Sequence, residues 1–136
     1  MSERVVHYGH CLCGAVRFEA EGQPKWIAFC HCESCRRHTA SPVAVFVGFD
    51  ERNFRFTADL PQVFESSKDV RRSFCRACGS PLTYQSARYP DEVHVYAGVM
   101  DDPSRYQPTA HVHFAEHLPW FDTVDGHRRH DRNSTG

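Results

Sequence analysis

This 136-residue chain has no long hydrophobic run: its longest, 42–49, falls far short of the about 18 apolar residues that a membrane-crossing helix needs. It has no surplus of positive charge either. Sixteen Lys and Arg stand against seventeen Asp and Glu, the formal net charge is -1 and the pI is near 6.8. Such a balance offers no surface from which nucleic acid would release counterions, and the arginine pairs starting at Arg36, Arg71 and Arg128 are too short to make a basic stripe. The N-terminal MSERVVHYGH lacks the apolar core of a signal peptide. Neither a membrane nor a nucleic acid is therefore expected as partner, and a cytoplasmic location is. Long amphipathic helices, internal repeats and low-complexity tracts are also missing. A chain this short has room for one domain, which buries roughly two thirds of the surface its unfolded state exposes.

What the chain does have is bulk. Apolar residues make up 40% of it, and ten Phe, five Tyr and two Trp supply enough material for a core. Alternating or β-branched segments predict strands over 5–8, 15–21, 26–29, 43–49, 53–57, 62–65, 70–74, 82–85 and 93–97. A short helix is expected over 33–39, and a second short turn over 102–106 behind the start signal of Pro103. Breakers at Gly22, Pro24, Pro42, Pro61, Gly79, Pro81 and Pro90 separate these segments at ordinary strand lengths. The expectation is a mainly β fold, with one domain over 1–125 and a frayed polar tail over 126–136.

The seven cysteines carry the chemistry. An odd number cannot all pair, and a reducing compartment works against pairing, which leaves thiolate chemistry or metal binding. Cys11 and Cys13 are two apart, so on an extended strand their sulfurs project from one face. Cys75 and Cys78 form a CxxC followed by Gly79, the arrangement of a tight metal-gripping turn. Together they offer four thiolates, the ordinary donor set of a structural zinc site that would staple the N-terminal strand to the middle of the chain. The alternative is a set of buried free cysteines.

Cys30, Cys32 and Cys35 form CxCxxC, with His31 inside it and Arg36 and Arg37 behind it. Three protein ligands with one open position is the pattern of a catalytic zinc, whereas structural sites close the fourth position with protein. His10, His31 and His38 lie near enough in sequence to close it and turn this cluster into a second staple. Iron–sulfur ligation is chemically allowed, but the spacings are not the usual ones. Two clusters imply two zinc ions per chain.

These residues together resemble the glutathione-dependent formaldehyde-activating enzymes, a family grouped with the centromere protein V-like proteins. The resemblance is carried by GHCLCGAVRF at 9–18, CHCESCRR at 30–37 and FCRACGSPL at 74–82, with weaker echoes at 98–103, Pro108, 111–113 and Trp120, and it covers about 7–122. It implies a β-tent fold stapled by zinc, with Cys11, Cys13, Cys75 and Cys78 on the structural ion and Cys30, Cys32 and Cys35 on the catalytic one. It also implies a carbon–sulfur lyase reaction in which glutathione or another small thiol adds to formaldehyde or a related aldehyde.

For the carboxylates of a peptide-like thiol, the candidates are Arg36 and Arg37, with Arg71, Arg72 and Arg76 behind them. His94 reads as a surface or internally satisfied histidine. His111, His113 and His117 have metal-compatible spacings but no neighbouring cysteine. Trp120 and Phe121 are expected to cap a core edge or to wall the open zinc. Two function classes follow: a zinc-dependent carbon–sulfur lyase, or a noncatalytic zinc module that binds a protein partner. The enzyme needs an exchangeable fourth position inside a pocket, and the module would close it and expose an apolar patch.

Overall fold

Val, Ile, Phe and Tyr dominate the apolar segments, and such side chains pack well on a pleated surface but crowd a helix. The computed structural model describes residues 5–134, and strands account for most of its regular structure. In chain order these are β1 (Val6–His10), β2 (Arg17–Glu21), β3 (Trp26–Cys30), β4 (Ala44–Asp50), β5 (Phe54–Phe56), β6 (Gln62–Ser67), β7 (Val70–Phe74), β8 (Pro81–Ser86), β9 (Glu92–Tyr96), β10 (Ala110–Val112) and β11 (Arg128–Arg129). One α-helix, α1 (Glu33–Thr39), follows β3. Strands β1, β2 and β5 make a small antiparallel sheet. The others form an eight-stranded sheet in the order β11-β10-β3-β4-β9-β8-β7-β6.

The period of two along the central strands decides which side each residue serves. Val45, Val47 and Phe49 of β4 and Val93 and Val95 of β9 pack toward Val16 and, in the small sheet, Phe18 and Ala20, with Leu82, Met100 and Tyr106 completing that core. Ala44 and Phe46 of β4 and Tyr96 of β9 point the other way, into a second cluster with Cys30 and Cys35. Each central strand is therefore core on one side and site on the other. Gly48 lies on the site side, where a Cβ would run into the indole of Trp26.

The expected strands are all present, as is the helix over 33–39. The turn expected over 102–106 is a 3-10 turn at Pro103–Arg105. The frayed tail is corrected. Strand β11 pairs in parallel with β10, which pairs in parallel with β3. The amide of His113 donates to the carbonyl of Arg132 at 2.8 Å and that of Phe114 to His130 at 2.9 Å. Arg129 then holds Asp122 and Asp125 at 2.8 and 3.1 Å. The polar composition was a poor guide because these side chains partner one another while the backbone supplies the pairing. Residues 135 and 136 lie outside the described residues.

Candidate active site

Two turns build the first cysteine cluster. Cys11–Gly14 leaves β1 in a tight turn closed by Gly14 N–H to Cys11 O at 3.1 Å, so Cys11 and Cys13 meet through a turn and not along a strand as their spacing suggested. Between β7 and β8, Cys75–Gly79 closes with Gly79 N–H to Cys75 O at 2.7 Å, with Gly79 at φ 80°, a conformation that glycine adopts without strain. The four sulfurs of Cys11, Cys13, Cys75 and Cys78 lie within 4.8 Å of one another. Amides aim at them: Val16 N–H at Cys11 Sγ (3.3 Å), and Ala77 and Cys78 N–H at Cys75 Sγ (3.4 Å each). Hydrogen bonding from Ser80 draws Cys78 down to about 5. Against the pull of the Ala15 amide, the adjoining Cys11 thiol pushes Cys13 up to about 11. Four thiols this close cannot all ionise alone, and a thiolate-binding cation would relieve the conflict.

The second cluster is continuous in sequence. Cys30 ends β3, Cys32 caps α1 by accepting the Cys35 amide on its sulfur at 3.3 Å, and Cys35 sits in the first turn. Their sulfurs also lie within 4.8 Å of one another. Hydrogen bonds from Cys30 and Cys35 draw Cys32 down to about 2, and the same bonds to Cys32 and Cys35, with burial, push Cys30 well above its usual value. Three thiols this close resist ionising together, so this donor set too fits a cation.

Among the described residues no histidine joins this cluster. His10 Nδ1 donates to Cys11 O at 2.6 Å, and His38 Nδ1 meets the hydroxyl of Tyr96 at 2.7 Å. His31 turns its ring away, to His111 Nδ1 at 2.8 Å. His111 Nε2 in turn reaches Asp125 Oδ2 at 3.0 Å. With Asp125 ionised and accepting, His111 Nε2 carries a proton, His111 Nδ1 accepts, and His31 Nε2 donates. His31 Nδ1 is then a bare acceptor, buried without a partner. Burial lowers the His31 pKa to about 4, so the neutral ring persists at neutral pH. This chain of contacts ties the cysteine loop to the docked C-terminal segment.

A cavity of about 520 Å³ opens onto Cys30, Cys32 and Cys35. Neither Arg36 nor Arg37 lines it. Arg36 Nη1 clamps the carbonyls of His31 and Glu116 at 2.6 and 2.7 Å, and Arg37 pairs with Glu33 at 3.1 Å in the open. The arginine on the cavity is Arg72 of β7, 4% exposed. Its Nη1 reaches Cys35 Sγ at 3.6 Å and Tyr96 Oη at 3.2 Å, its Nε donates to Ser66 Oγ at 3.1 Å, and its guanidinium lies over the Tyr84 ring. The sequence named Arg72 only as one of five arginines. Its position on the site side of β7 distinguishes it, and that depends on long-range strand pairing.

Other expectations divide similarly. His94 is satisfied, donating to Glu92 Oε1 at 2.8 Å, and is buried in the cavity wall. His111, His113 and His117 do not converge, and the described residues hold no third metal cluster. Trp120 is 70% exposed and off the cavity, so it neither caps a core edge nor walls the site, whereas Trp26 does line the cavity.

Comparison with known proteins settles the family. A model of the glutathione-dependent formaldehyde-activating enzymes matches residues 6–116. The chain belongs to this family. An uncharacterized lyase of Schizosaccharomyces pombe is 30% identical over 76 residues, 56% of this chain and 55% of that protein, so the match spans about half the relative's length. A Halomonas elongata protein named for glutathione-dependent formaldehyde activation is 27% identical over 94% of this chain and 86% of its own. A crystal structure of a Rhodobacter sphaeroides protein shares the fold with a TM-score of 0.56 at 17% identity, covering 90% of this chain and 98% of that one. Membership supports an enzyme of the lyase class. Among the described residues no helix is long and apolar enough to cross a membrane.

Proposed function

We propose that this protein is a zinc-dependent carbon–sulfur lyase that adds a small thiol, glutathione or another, to formaldehyde or a related aldehyde. The observation that carries the reading is a cluster of three thiols with no fourth protein ligand among the described residues, opening onto a cavity. A zinc ion held by Cys30, Cys32 and Cys35 would supply Lewis acidity there, keeping a substrate thiol deprotonated at neutral pH. Cys11, Cys13, Cys75 and Cys78 are the proposed ligands of a second, structural zinc.

The chain's own groups then have definite tasks. The substrate sulfur attacks the aldehyde carbon, the π pair moves to oxygen, and the thiol's proton ends on that oxygen. Arg72 keeps one nitrogen, Nη2, uncommitted after its bonds to Cys35, Tyr96 and Ser66, and this donor suits the oxygen on which negative charge develops. His31, His111 and Asp125, with Arg36 on the His31 carbonyl, hold the cysteine loop rigid. A protein-binding module would instead have closed its second cluster.

Exchange NMR on a mixture of formaldehyde and small thiols, glutathione among them, tests this directly. The zinc-loaded protein should speed formation of the S-hydroxymethyl adduct, and Cys32→Ala should not. Equal rates with and without the protein, for every thiol, would refute the enzyme reading.

A further inference from the structure

The cavity is far larger than a one-carbon aldehyde requires, so its walls must select the other substrate. Those walls are rich in rings. Trp26, Phe46, Tyr84, Tyr89 and His94 bring five of them to the lining, and Val70 and Val112 add aliphatic surface. The rings already pack on one another as aromatic ligands pack: Trp26 meets His94 edge-on at 4.5 Å, and Tyr84 stacks on His94 at 5.4 Å.

The charges point the same way. Glutathione carries two carboxylates, which call for cations fixed where they bind. The carboxylates of Glu92 and Glu116 line the cavity instead. A hydrogen bond from His94 holds Glu92 down at about 2, so it is charged at neutral pH. Burial keeps His94 itself below its usual pKa and thus neutral. Lys25 is spent on Glu92 and Asp50 at 3.0 and 3.7 Å, and His113 faces Glu116 at 3.7 Å. Arg72 reaches Cys35, Tyr96 and Ser66 and keeps only Nη2 for a ligand, one donor where glutathione brings two carboxylates, and Arg36 and Arg37 lie off the cavity.

We propose that the preferred thiol carries an uncharged aromatic group, in place of a peptide with two carboxylates, and that this ring binds against Trp26, Tyr84 and Tyr89. The inference rests on the thiol–aldehyde reading above and names the substrate class of that same site. The reaction balances without a further reagent: the S–H bond is lost, an S–C bond forms, the carbonyl becomes a hydroxyl, and nothing is oxidised or reduced. Tyr84 lies beneath the Arg72 guanidinium that reaches Cys35 Sγ, so a ring against this wall lies beside the cluster that would take its sulfur, and a benzyl-type thiol offers the ring and the sulfur with one methylene between them.

Benzyl mercaptan and glutathione at equal concentration, each with formaldehyde and the zinc-loaded protein, separate the two readings. The protein should accelerate adduct formation with benzyl mercaptan about tenfold more than with glutathione, the scale expected of one aromatic group buried against rings. Benzyl mercaptan alone should also shift the indole N–H resonance of Trp26 and leave that of Trp120 in place. Trp26→Ala and, as a check against misfolding at that position, Tyr89→Ala should each weaken its binding about tenfold while metal content stays unchanged. Acceleration with glutathione equal to or above that with benzyl mercaptan overturns this inference and leaves the lyase reading standing. Acceleration with neither overturns both. An unmoved Trp26 resonance at saturating benzyl mercaptan overturns the assigned wall.

Discussion

The two cysteine clusters have the same donor atoms and opposite relations to the chain around them. Cys11 and Cys13 follow a strand of the small sheet, and Cys75 and Cys78 sit between two strands of the large one, so a cation there bridges two sheets and closes a long loop. Cys30, Cys32 and Cys35 span six residues at one strand end and the helix that follows, so a cation there fixes only a turn already held by Arg36 and the His31 relay. The second cluster, moreover, opens onto the cavity of about 520 Å³. The sequence distance between ligands thus separates a cation that holds the fold together from one left available for chemistry.

Removing one ligand from each cluster is the severest way to break that comparison. Structural zinc sites contribute about 10–16 kcal/mol, as much as the whole stability of a domain this size, which is about 5–15 kcal/mol. Cys75→Ala or Cys78→Ala should therefore abolish the cooperative thermal transition followed by circular dichroism. Cys32→Ala should keep that transition and lose activity. Equal losses of thermal stability would remove the distinction.

Arg72→Gln addresses the open cluster alone. Loss of one donor to developing charge lowers kcat/KM about 100-fold, and the four-cysteine cluster should keep its metal. Activity within about threefold of wild type would show that Arg72 only packs against Cys35 and Tyr84.

Chelation compares the clusters by rate. A chromogenic chelator should withdraw metal in two phases, the faster from the three-cysteine cluster and about tenfold quicker, because an open position admits the competing ligand. Cys32→Ala should delete the fast phase and spare the slow one. A single phase carrying both equivalents would contradict the contrast.

The smallest effect concerns pH at the cavity wall. Glu92 is held down at about 2 by the His94 hydrogen bond, with Lys25 assisting. A depressed carboxylate contributes stability that is present above its unfolded value near 4.5 and is lost as pH falls toward 2. The gap in stability between wild type and Glu92→Gln, on the order of 1 kcal/mol at neutral pH, should close across that window in melts taken as the pH is lowered. A gap independent of pH would mean that Glu92 acts only by its shape.

Both clusters and nearly every strand were legible in the sequence, because ligand spacing and period-two patterns are local. The helix over 33–39 was also readable, since Cys35, Arg36 and His38 follow the cysteine cluster, and the structure adds Cys32 as its cap. What local pattern misled on was position in space. Arg36 and Arg37 adjoin the cysteines in sequence, yet the helix turns both off the cavity, while Arg72 arrives through the pairing of β7 with β8. Trp26, read from the sequence only as part of a strand, reaches the cavity for a related reason: the space beside Gly48 that admits it exists only once β3 pairs with β4. Strands β10 and β11 escaped notice because they are short and polar and pair in parallel with partners far along the chain.

The central claim is that one cluster is closed by protein and the other is open to a substrate thiol. Cadmium-113 NMR of the cadmium-loaded protein examines both at once. Two resonances should appear, one typical of four sulfur donors and one of fewer, and a saturating small thiol should move the second toward the first without disturbing it. Two resonances that both report four sulfur donors from the start, and that no thiol moves, would contradict the account.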